Sequence, residues 1–109
     1  MKHVLWISRH TMTQEQRADL ERALHDKVRI HQYPMLVLDV HELDWVVSQS
    51  DVICAVLPLE KLNELMLMAG ERPVLVSKAK QRKSADEEFV FEHDGWYQML
   101  KINIVKQRL

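Results

Sequence analysis

Apolar positions run along this chain in two rhythms, one continuous and short, the other spaced by three and four. The run Val4, Leu5, Trp6 and Ile7 is of the first kind and predicts a buried strand, which gives way to the polar loop Ser8, Arg9, His10 and Thr11. Thr13 with Gln16 three residues later has the pattern of a capping box, and Leu20, Ala23 and Leu24 recur at helical spacing. A helix over 13–25 follows, with charges on its outer face. Val28 and Ile30 open a second strand whose apolar continuation over 35–38 is interrupted by Pro34. Leu43, Val46 and Val47 predict a short helix over 41–50. The continuous apolar run 52–57, ended by Pro58, reads as the middle strand of a sheet covered on both faces. A helix over 59–69 is closed by Gly70 as its cap, with Pro73 shortly beyond, and 73–77 forms another strand. Finally, Phe89, Val90 and Phe91 and the segment 96–105 flank His93-Asp94-Gly95, where Asp-Gly signals a tight turn and hence a terminal β-hairpin.

Strands alternating with helices predict the α/β class, here a small Rossmann-like sheet, mostly parallel, with a C-terminal β-hairpin. The 109 residues make one domain, 1–109, small enough that dimerisation would help bury apolar surface. The third helix points the same way, because Leu62, Leu65, Met66, Leu67, Met68 and Ala69 leave its last two turns little polar face. Such a helix is covered either by a partner subunit or by the C-terminal strands.

Composition narrows the function classes. A formal charge of −1 gives no global attraction to nucleic acid or to an anionic membrane, so general DNA binding is not expected. The single cysteine, Cys54, lies in an apolar run and reads as a small core residue; with no disulfide possible within the chain, a reducing cytoplasm fits. No segment has the length of a signal peptide or a membrane span, and the expectation is a soluble intracellular protein. The six histidines show no recognised zinc spacing, so neither a metal nor a cofactor is expected. Asp39-Val40-His41-Glu42, the nearest approach to a ligand cluster, opens a helix and serves its N-terminus.

Parallel strands joined by right-handed crossovers put their C-terminal ends on one edge, where ligands of such sheets bind. The loop Ser8, Arg9, His10, Thr11 and Thr13 is expected there, and so is the basic segment 77–84, with Ser77, Lys78, Lys80, Gln81 and Arg82. Hydroxyls and cations at a helix start suit an anion. Arg9 and Lys78 are candidates for stabilising phosphate charge, with Ser8, Thr11, Thr13, Ser77 and Lys80 orienting it. His10 is the candidate for proton transfer, since an imidazole titrates near neutrality. The absence of a glycine-rich fingerprint argues against a dinucleotide site or a P-loop, and no nucleophile elbow surrounds Ser8.

The stretch Leu5-Trp6-Ile7-Ser8-Arg9-His10-Thr11-Met12-Thr13-Gln14-Glu15-Gln16 resembles the first strand, loop and helix of the minimal ring nucleases built on a CRISPR-associated Rossmann fold (CARF). The resemblance implies a homodimer whose two-fold axis passes through a pocket for cyclic oligoadenylate. It also implies metal-independent cleavage, by aligning a ribose 2′-hydroxyl on the neighbouring phosphate. The apolar turn Leu57-Pro58-Leu59 stands where that family would carry a polar or glycine-containing ligand loop. A reading of a different class is a regulatory or protein-interaction module without catalysis, its working surface formed by the Met-rich helix and the C-terminal hairpin.

Overall fold

The computed structural model describes residues 1–34, 40–83 and 89–100. Eight elements follow one another: β1 (Lys2–Ile7), α1 (Gln14–Leu24), β2 (Val28–Tyr33), α2 (Val40–Ser48), β3 (Val52–Ala55), α3 (Leu59–Ala69), β4 (Val74–Lys83) and β5 (Phe89–Gln98). They form an α/β domain with one five-stranded sheet in the order β2-β1-β3-β4-β5. The first four strands are parallel and β5 is antiparallel to β4, closing the sheet with a hairpin.

The strand order explains the two layers of helices. The first crossover steps from β1 outward to β2, whereas the next two step the other way, so crossovers of one hand place α1 on one face and α2 with α3 on the opposite face. Val4, Trp6, Val28, Val52, Cys54 and Leu75 pack against Leu20 of α1. Leu5, Ile7, Ile53, Ala55 and Val74 face Leu43 and Val47 of α2 and Leu62, Leu65 and Ala69 of α3. Both faces of β1 and β3 are thus covered, which is why their apolar runs are continuous. Cys54 is fully buried, and loss of hydration pushes its thiol far above its ordinary range, the behaviour of a core residue.

Local chemistry sets the helix ends. Thr13 Oγ1 accepts the Gln16 N–H at 3.1 Å and Gln16 Oε1 accepts the Thr13 N–H at 2.9 Å, completing the capping box. At the other end His25 takes a left-handed conformation, φ 55° and ψ 35°, whereas Gly70 after α3 has a positive φ of 62° with ψ −118°. A side chain at Gly70 would be strained by its backbone alone.

Two expectations are corrected. The segment 77–84 is not a loop: through Lys83 it continues β4, which pairs with β5 from Leu75↔Gln98 to Lys83↔Phe89. Asp94-Gly95 is not the hairpin turn but a bulge inside β5, because Lys78 pairs with Gly95 and Ala79 with His93, leaving Asp94 as the extra residue. Glycine inside a strand commonly marks such a bulge. The described buried residues of α3 belong to the core that the sheet and α2 share. Those residues, with the half-buried Met66 and Met68, pack between the sheet and α2, and among the described apolar side chains of α3 only Leu67 is strongly exposed, at 79 %. The predicted strand continuation 35–38, Asp39 of the acidic cluster and residues 101–105 of the segment 96–105 lie outside the described residues.

Candidate functional site

In a sheet ordered 2-1-3-4-5 the chain reverses its direction of travel between β1 and β3, and ligands bind in the crevice outside the C-terminal ends of those two strands. A cavity of about 190 Å³ occupies this position, lined by Ser8, Arg9 and His10 after β1 and by Val56, Leu57 and Pro58 after β3. One wall is polar and cationic, the other apolar.

The loop after β1 is held from below. Trp6, buried in β1, donates its indole N–H to His10 O at 2.7 Å, and Gln32 Nε2 of β2 reaches both Ser8 O at 3.0 Å and His10 O at 3.1 Å. Ser8 Oγ accepts the His10 backbone N–H at 3.1 Å, tightening the turn. Ser8 is buried and works for the backbone, whereas the Arg9 and His10 side chains are exposed and make no hydrogen bond or ion pair among the described residues. An apolar strand thus ends in a rigid turn that presents a guanidinium and an imidazole. On the facing wall, Val56 N donates to Ile7 O at 3.1 Å, which fixes the two strand ends side by side.

The other candidates stand elsewhere. Thr11 is exposed but does not line the cavity, and the Thr13 hydroxyl is engaged as the α1 cap. Lys78 lies on β4 with its ammonium 4.7 Å from the centre of the Tyr97 ring, and Lys80 pairs through its backbone with Glu92 of β5. β3 separates β4 from β1, so the basic segment and the first loop do not form one site around the same cavity. The partner of the first loop is the turn after β3.

Ser77 belongs to a different constellation, one that sequence reasoning missed. Its Oγ accepts from Gln16 Nε2 at 3.2 Å and lies 2.7 Å from His93 Nδ1, while His93 Nε2 lies 2.9 Å from Asp19 Oδ2. Asp19 also pairs with Arg22. One proton arrangement satisfies every member: Ser77 donates to Nδ1, and Nε2–H donates to the carboxylate. Trp96 closes the cluster by donating its indole N–H to Gln16 O at 2.8 Å. Despite its serine, histidine and aspartate, the cluster has no cavity among those described around it. It ties α1 to the edge hairpin. Through Gln16, which also closes the capping box, it reaches the far end of the site loop.

The hydrogen bond from His93, and after it that from Arg22, holds the Asp19 carboxyl below its ordinary value. A carboxyl lowered in the folded state contributes stability above its unfolded value, near pH ~4, and loses that contribution as pH falls through the folded value. Asp19→Asn is therefore expected to lower stability by about 1–3 kcal/mol at neutral pH, and by much less in strong acid. Urea denaturation of both proteins across pH checks this; an equal gap at every pH would show that the charge contributes nothing.

No protein-family model, no curated protein and no solved structure matches this chain. The class that the fold defines is a small doubly wound α/β domain with its crevice at the β1/β3 switch point. Among the described residues no group of three histidines, cysteines or carboxylates could hold a metal ion, and no helix is long and apolar enough to cross a membrane.

Proposed function

We propose that the cleft between the ends of β1 and β3 binds a phosphate-bearing nucleotide ligand, with cyclic oligoadenylate as the specific candidate. The observation that carries this reading is the placement of Arg9 and His10 on a pinned turn at the switch point, opposite an apolar wall. A guanidinium recognises phosphate through paired N–H donors, and an apolar wall accepts sugar or base. The resemblance of Leu5 to Gln16 to the first unit of the minimal CARF ring nucleases supplies the cyclic ligand.

Small-molecule pockets usually have roughly 300–1,000 Å³. A cavity of about 190 Å³ accommodates one phosphate and its sugar, not a ring of nucleotides. On this reading two copies face each other across a two-fold axis, and Val56, apolar and 58 % exposed at the rim, lies in their contact. The described part of the Met-rich helix gives the alternative interaction-module reading less support, since Met66 and Met68 are packed against the core.

Arg9→Ala is expected to weaken binding of cyclic tetra-adenylate by about 1–3 kcal/mol, the cost of one charge-assisted hydrogen bond. Folding is unaffected, because the side chain is exposed. Calorimetric titration of both proteins measures it; equal affinities would remove Arg9 from the site.

A further inference from the structure

A second cleft lies away from the switch point, between β2 and α2. It has a volume of about 410 Å³, and its walls include His3 and Leu5 of β1, His31 and Tyr33 of β2, and Trp45 and Gln49. No residue lines both this cavity and the one at the switch point. Its size falls within the usual range for a small-molecule site, and rings contribute to three of its walls.

Two of these rings meet in an unusual way. His3 Nδ1 and His31 Nε2 are 3.5 Å apart, the ring planes are 13° from parallel, and the centroids are 5.7 Å apart. Centroids so much farther apart than the nitrogens place both nitrogens between the rings, so the imidazoles meet edge to edge. Nitrogens aimed at each other have no common apex, which does not suit a tetrahedral metal. They do suit one shared proton. Whichever ring donates, the pair retains one outer N–H and one outer lone pair, a donor and an acceptor on adjacent strands.

Trp45 supplies the flat surface. It sits on α2 beside the buried Leu43 and Val47, yet 66 % of it is exposed. Gln49, just past the end of the same helix, donates through Nε2 to Ser48 Oγ at 3.4 Å and keeps its amide oxygen as an acceptor. A purely apolar chain would leave the imidazoles and the amide unpaired, whereas a flat ring with polar edges satisfies both kinds of wall.

We propose that this cleft binds a flat nitrogen heterocycle of nucleobase type, its face against Trp45 and its polar edge toward the His3–His31 pair. The site is independent of the phosphate reading at the switch point, because its recognition groups address a ring and not a charge.

Adenosine, guanosine and uridine, which carry a base but no phosphate, are the probes. Titrated in turn and followed by nuclear magnetic resonance, at least one of them is expected to shift the Trp45 indole and the His3 and His31 ring signals. Trp45→Ala and His31→Ala should each weaken that binding by about ten-fold or more, as loss of a stacking or hydrogen-bonding partner does. Arg9→Ala should leave it unchanged. Both replaced side chains are exposed, so the variants are expected to keep the wild-type thermal transition. If none of the nucleosides moves these signals at millimolar concentration, the proposal is wrong. It is equally wrong if the shifts centre on Ser8, Arg9 and His10, since the base then binds at the switch point.

Discussion

Replacing Trp6 by alanine is expected to destabilise the protein by about 3–5 kcal/mol, the usual cost of emptying a buried aromatic position. Trp6 is 2 % exposed, lies beneath α1, and meets Trp96 edge-on with ring centroids 5.8 Å apart. A small domain holds only about 5–15 kcal/mol in all, so the variant should be partly unfolded under mild denaturing conditions. Urea denaturation gives the size of the loss, and a change below about 1 kcal/mol would contradict the packing described. Trp6→Phe separates packing from anchoring: it keeps a ring in the core but removes the indole N–H that His10 O accepts. Because Gln32 Nε2 still reaches that oxygen, the phenylalanine variant should fold with a smaller loss and a looser loop over residues 8–10. Faster amide exchange in that loop would register the difference.

The second large effect concerns chemistry at His10. On the ring-nuclease reading a ribose 2′-hydroxyl attacks the adjacent phosphorus, the bond from phosphorus to the 5′-oxygen breaks, and a 2′,3′-cyclic phosphate forms on one fragment. The 2′-hydroxyl gives up a proton and the 5′-oxygen takes one. On that reading His10, exposed at the cleft, is the group placed to move a proton, while Arg9 would offset the charge that develops on the non-bridging phosphate oxygens. Since the nucleophile belongs to the ligand, alignment alone contributes much of the acceleration, and turnover should survive EDTA. His10→Ala is expected to slow ring opening by about 10²-fold while leaving affinity within a few-fold. Chromatography of labelled cyclic tetra-adenylate measures both the products and the rate. A loss of binding in step with the loss of rate would make His10 a binding group only, and intact ring after prolonged incubation with wild type would leave a sensor without turnover.

The sequence was most legible where one residue decides one local feature. Thr13 and Gln16 announced their capping box, Gly70 its positive-φ cap, and the unbroken apolar run from Val52 announced a strand covered on both faces. The turn carrying Arg9 and His10 was legible for the same reason. Its partner was not, because which strand end lies beside β1 depends on strand order, and order is set by packing between elements far apart in the chain. Local chemistry alone pairs Ser77 and the basic segment with the first loop; the order β2-β1-β3-β4-β5 puts Val56, Leu57 and Pro58 there instead. Asp94-Gly95 misled because its local preference for tight turns is also a preference for bulges, and pairing with β4 decided between them. The link from His93 to Asp19 spans 74 residues and has no local signal at all.

Binding of a phosphate-bearing ligand at the switch point is open to direct test. The most direct test is a two-dimensional nuclear magnetic resonance titration of the wild-type protein with cyclic tetra-adenylate. The predicted result is a set of shifts centred on the amides of Ser8, Arg9, His10, Val56 and Leu57, absent when Arg9→Ala is titrated at the same concentration. Shifts that leave these residues untouched, or no shifts at all at millimolar ligand, would contradict the switch-point site.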